Sequence, residues 1–151
     1  MSKEQRKRID IVKVKLVKES SILYEQRRIT SPSVAANLME AFLDGLDREE
    51  LIVIALDTKN QPTTINVCSR GSLNSSIVHP REVFKTAILG NAASIVIGHN
   101  HPSGDTTPSN EDLNITKRLI DAGKILGINL IDHIIVGSDG EYTSLKERGD
   151  I

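Results

Sequence analysis

The chain is poor in cysteine and in aromatic residues. Cys68 is its only cysteine, which excludes an intramolecular disulfide and any zinc cage built from several thiolates. Its neighbours Ile65 and Val67 suggest a strand, where a free cysteine is usually a small buried hydrophobe. Tyr24, Phe42, Phe84 and Tyr142 are the only aromatics, too few for a stacking platform for single-stranded nucleic acid. Charge of one sign is lacking too: 19 basic residues face 20 acidic ones, so nothing overall calls for a polyanionic partner. No apolar run is long enough to cross a bilayer, and the N-terminus has no signal-peptide core. A soluble cytoplasmic protein with no membrane partner is expected.

The 151 residues suit one compact domain, taken as 9–151, behind a flexible basic N-terminus at 1–8. Charge is unevenly spread: residues 1–28 hold nine Lys/Arg against four Asp/Glu. A basic arm can touch nucleic acid, although solvated charge is the commoner explanation. Ile9 to Val17 partly alternates and reads as a strand at a sheet edge. Ser31 and Pro32 mark a helix start, with Val34, Leu38, Ala41 and Phe42 at helical spacing up to Gly45. Leu51–Leu56 is a continuous apolar strand, and a turn over 57–62 returns the chain as a second strand at 63–69. Further helices are predicted over 80–89 and 110–126, with strands running up to His101, over 128–136 and over 141–145. The fold class expected is α/β, a mixed sheet with three packed helices.

Chemistry concentrates in His99-Asn100-His101-Pro102-Ser103-Gly104-Asp105 and in Ser109 and Asp112 downstream. Alternate residues of a strand share a face, so His99 and His101 point at one spot. Pro102, Ser103 and Gly104 force a turn, and a helix brings Asp112 back, so three ligands can meet around one metal ion. A coordination position is then left over, as in catalytic rather than structural zinc sites. Each fragment also has a purely structural explanation. Histidines on strands are often simply packed, and Ser109-x-x-Asp112 has the pattern of a helix capping box. Gly98 and Gly104 suit close backbone approach. His79, before Pro80, reads as a loop or capping residue, and Asp105 as a turn residue. His133 reads as a packed histidine, or else as support for a ligand.

His99-x-His101-Pro102 with Ser109-x-x-Asp112 resembles the JAMM motif of the JAB/MPN metalloprotease family. More narrowly, the chain is similar to its RadC-like branch. That likeness is carried by Arg48-Glu49-Glu50, Gly71-Ser72-Leu73-Asn74-Ser75-Ser76, Val78-His79-Pro80-Arg81-Glu82, Gly98 to Gly104, Pro108-Ser109, Asp132 to Gly137 and Glu147-Arg148-Gly149, in family order from about Ile29 onward. The resemblance implies a JAB/MPN fold of cytidine-deaminase-like architecture and Zn2+ held by His99, His101 and Asp112, with water in the fourth position. Deaminase chemistry itself is excluded, because no Pro-Cys-x-x-Cys segment exists. An upstream glutamate should take the water's proton. Family position favours Glu49, and Glu50, where relatives often carry histidine, is the rival. Strand alternation sends the two to opposite faces, so only one reaches the metal. Ser109 corresponds to the serine that stabilises the oxyanion.

The activity implied is that of a zinc metallopeptidase or isopeptidase acting on a protein or peptide substrate. A DNA repair or recombination accessory module, with DNA or repair proteins as partners, is the alternative. Longer relatives begin with a helix-hairpin-helix suited to DNA; here a basic strand stands in that place, which weakens the DNA reading. The oligomeric state is left open.

Overall fold

The computed structural model describes residues 4–73 and 78–151. Met1 to Lys3 and the Asn74-Ser75-Ser76 part of the family-like motif lie outside the described residues.

Helix α1, Pro32–Leu43, starts where the sequence punctuates it: the Ser31 hydroxyl accepts from the Val34 amide and proline occupies the first turn. Strand β1, Glu50–Leu56, turns into β2, Pro62–Arg70, through Asp57, whose carboxylate accepts from the amides of Lys59 (2.8 Å) and Gln61 (2.9 Å). Helix α2, Pro80–Leu89, is followed by β3, Ser94–Asn100, and by α3, Asn110–Leu126. Gly127 closes α3 at φ 73°, a left-handed conformation that glycine adopts without strain. Strands β4, Asn129–Val136, and β5, Tyr142–Ser144, lead to the short helix α4, Leu145–Arg148.

The five strands lie in the order β2-β1-β3-β4-β5. Only β3 and β4 run parallel, joined by the crossover helix α3; the other neighbours are antiparallel. The expected mixed α/β sheet with packed helices is therefore present. Leu51, Val53, Ile95 and Ile97 pack with Phe84 of α2 and with Ile115 and Leu119 of α3. On the other face Ile52, Ile54, Val96 and Ile134 meet Leu38 and Met39 of α1. Burial on both faces is why β1 and β3 are continuously apolar rather than alternating.

The strand expected over 9–17 is not formed. The segment is exposed, with Ile9 at 91% and Ile11 at 101%, and none of its backbone groups bonds to a described residue. Alternation confers strand propensity, but a strand exists only where an edge supplies hydrogen bonds, and here none is adjacent. A fourth helix joins the three expected. Four residues are too few for helical periodicity to register, and α4 is held from outside by Asp132. That carboxylate accepts from the Ser144 hydroxyl (2.5 Å) and the Lys146 amide (3.1 Å). Among the described residues no helix is long and apolar enough to cross a membrane.

Candidate metal centre

The β1–β3 register builds the site. Leu51 pairs with His99, so two residues further along both strands Glu49 falls opposite His101. His101 lies just past β3, but its amide still donates to the Val136 carbonyl (3.0 Å), which extends the alternation by one step. His99 and His101 therefore share the α3 face, with their Nε2 atoms 2.9 Å apart. Asp112, in the first turn of α3, places Oδ1 3.3 Å from His99 Nε2 and Oδ2 3.3 Å from His101 Nε2. His99, His101 and Asp112 form the one three-residue group among the described residues that could hold a metal ion.

Hydrogen bonds decide which nitrogens carry protons. His101 Nδ1 lies 2.7 Å from the Asp105 carbonyl, which can only accept, so Nδ1 is protonated and Nε2 bears the lone pair. The Thr116 hydroxyl has a single proton and lies 2.7 Å from the Asp112 carbonyl, which can only accept it. His133 Nδ1, 2.6 Å from the same hydroxyl oxygen, must then donate to it. Burial, and next the neighbouring His99, push His133 well below the ordinary imidazole range, so the ring is neutral and its Nε2 accepts. His99 Nδ1, 2.7 Å away, donates there and leaves its own Nε2 free. With both rings neutral, two lone pairs and a carboxylate converge, a donor set that suits a cation; without one, a proton on His101 Nε2 is shared with Asp112.

Asp112 also keeps its structural role. The Ser109 hydroxyl accepts from the Asp112 amide (3.1 Å), and the Ser109 amide donates to Asp112 Oδ2 (2.9 Å), a reciprocal capping box. Burial raises the Asp112 carboxyl, but hydrogen bonds from His101 and His99 outweigh it and hold the group below the usual carboxylate range. His101 is raised, chiefly by its bond to Asp112 against the effect of burial, with a smaller contribution from the charge of Glu49.

The two glutamates diverge as strand geometry requires. Glu49 lies on the histidine face, and its Oε2 accepts from the Leu73 amide (3.0 Å) while its carbonyl accepts from Gly71 (2.7 Å). Glu50 turns away, and its Oε1 pairs with Arg70 Nε at 3.1 Å. Asn100, between the two histidines, clamps this stretch: its Oδ1 accepts from the Glu50 amide (2.8 Å) and its Nδ2 donates to the Arg48 carbonyl (2.9 Å). An open cleft of about 460 Å³ runs beside Glu49, lined by Asp47, Arg48, Gly71, Ser72 and Pro102.

Of the other sequence candidates, His79 caps α2, its Nδ1 accepting from the Arg81 amide (3.1 Å). Asp105 shapes the turn by accepting from the Thr107 amide (2.9 Å) and hydroxyl (2.7 Å). His133 is both packed and in contact with His99, so its two readings coincide. Thr116 and Asn100 were not singled out from sequence. The i+4 spacing of Thr116 from Asp112 was the available signal for the first; the second has only its place between two histidines.

Residues 29–150 match the RadC-like JAB domain family. The chain is 60% identical over 126 residues to a UPF0758 protein of Clostridium acetobutylicum, covering 83% of this chain and 55% of that protein. It is 49% identical over 131 residues to a UPF0758 protein of Methanosarcina mazei, covering 87% and 57%. A third UPF0758 protein, from Caldanaerobacter subterraneus, is 53% identical over 125 residues, covering 83% and 53%. The chain spans a little over half the length of these curated relatives.

Proposed function

The chain belongs to the RadC-like JAB domain family, and from that premise we propose that it is a zinc-dependent hydrolase of peptide or isopeptide bonds. The observation that carries this reading is the donor triangle of His99, His101 and Asp112. Tetrahedral zinc with bonds of about 2.0–2.1 Å sets ligand atoms about 3.3 Å apart. Here the two Nε2 atoms lie 2.9 Å apart, each is 3.3 Å from a different oxygen of the Asp112 carboxylate, and one ligand atom from each of the three residues lies within 4.8 Å of the others. Three protein ligands leave the fourth position of a catalytic site. Zinc held there supplies an acidified water and polarises a carbonyl.

The remaining work falls to the chain's own groups. Glu49, on the histidine face and fixed by the 71–73 turn, accepts a proton from water and returns it to the leaving nitrogen. The Ser109 oxygen accepts in the capping box, which leaves its proton to donate to the oxyanion that develops on the carbonyl. The open cleft between Glu49 and Pro102 leaves the Glu49 side of the site reachable by a substrate.

Metal analysis of the purified protein should give about one zinc per chain. Glu49→Gln should abolish cleavage in a peptide and isopeptide library while Glu50→Gln retains it. Loss confined to Glu50→Gln would reverse the assignment, and a zinc-loaded protein that cuts neither bond type would refute the activity. The excess of basic residues in 1–28 favours a second reading, DNA association during repair or recombination. That reading requires duplex binding that weakens steeply with salt.

A further inference from the structure

The segment Ile9–Val17 plays no part in the metal centre or the core. Six of its nine residues are Ile, Val or Leu, and Ile9, Ile11, Val12, Val14 and Val17 are at least 75% exposed. Solvated charge accounts for the lysines but not for these apolar side chains. Leu16, 39% exposed, lies beside Gly90 at the end of α2. Ile29 donates to the Asn60 carbonyl at the tip of the β1–β2 hairpin (2.9 Å), which anchors the chain where the arm ends.

The sheet has two edges, and they differ. β5 is three residues long, a form that resists further pairing. β2 has nine residues, pairs among the described residues only with β1, and carries no charge before Arg70. Its register with β1 is regular from Thr64 to Val67, where Ile65 and Val67 are half-buried on the α1 face. In the arm, Val12, Val14 and Leu16 share one strand face after Asp10, with Lys13 and Lys15, flanked by Ile11 and Val17, on the other. Paired beside β2, that apolar row would continue the row of Ile65 and Val67.

We propose that Ile9–Val17 adds as a strand to the free edge of β2 in a second copy of this chain, each copy receiving the other's arm. Charge favours a second copy as occupant. The arm region carries nine basic and four acidic residues; the rest of the chain carries ten and sixteen. Each copy contributes nine arm residues and nine edge residues, close to the 20–30 per side of a standard stable interface. Both sites are supplied by every copy, so the exchange closes as a two-fold dimer.

Sedimentation of the full chain across a concentration series, with amide hydrogen exchange on the same samples, tests this. A dimer is expected in which the amides of 9–17 and the outward amides of 62–70 are protected together and exposed together on dilution. Val14→Pro removes a strand donor that makes no bond within the chain, and should weaken the dimer about tenfold or more; Val14→Thr should retain it. A monomer at every concentration overturns the proposal, as does a dimer indifferent to Val14→Pro. Protection of 9–17 without 62–70, or only after duplex DNA is added, overturns it as well.

Discussion

The two faces of β3 solve opposite problems with adjacent residues. Toward α1 the strand presents Val96, Gly98 and Asn100, and the packing there is so close that a Cβ on Gly98 would collide with the buried Met39 side chain. Toward α3 it presents Ile95, Ile97 and then His99, where apolar contact gives way to the polar chain His99–His133–Thr116. One face fixes the position of the strand by excluded volume. The other fixes the direction of a lone pair by hydrogen bonds. A ligand needs both, because a correctly placed ring with the wrong tautomer cannot bind metal.

Breaking the polar face outright should have the largest effect. Asp112→Asn keeps a capping oxygen but removes the anionic ligand, and should reduce metal affinity by more than the 10–100-fold typical of a lost supporting partner; titration calorimetry with zinc measures this. Overloading the apolar face comes next. Gly98→Val should destabilise the fold by about 1–3 kcal/mol in chemical denaturation while the folded fraction still takes up metal. A loss of metal without a loss of stability would mean that the two faces are not separable. Thr116→Val tests the tautomer chain alone: it leaves the His133 Nδ1 proton without its acceptor, and metal affinity should fall about tenfold, with Thr116→Ser restoring it.

The smallest effect concerns the metal-free protein. The depressed Asp112 carboxyl contributes stability above its unfolded value of about 3.9 and loses it as pH falls below that. The raised His101 contributes below about 6.5 and loses that contribution as pH rises through its folded value. The depressed His133 acts in the opposite sense over the same range, so the His101 contribution is read by difference: in thermal melting of metal-free protein, the advantage of the native chain over Asp112→Asn should be larger at pH 6 than at pH 8.

Much of this was legible along the chain. Ser31-Pro32, the Asp57 turn, Gly127 and the capping box are local signals, and each element boundary they mark is found within a residue or two. The grouping of His99, His101 and Asp112 was legible for the same reason, since strand alternation and one turn suffice to bring them together. The 9–17 segment shows the limit of such reading. Its pattern is that of a strand, but pairing depends on an edge that no local pattern specifies.

By itself the sequence determined the elements, the donor residues and their membership of one strand-turn-helix unit, because these follow from periodicity and steric rules acting over a few residues. Only the tertiary structure decided which glutamate faces the donors, which nitrogen of each histidine is free, and that Thr116, His133 and Asn100 hold them so. Those outcomes depend on the β1–β3 register and on contacts such as Asn100 with Arg48, 52 positions apart. Hydrogen bonds of that range exist only once the sheet has assembled and water has left its faces.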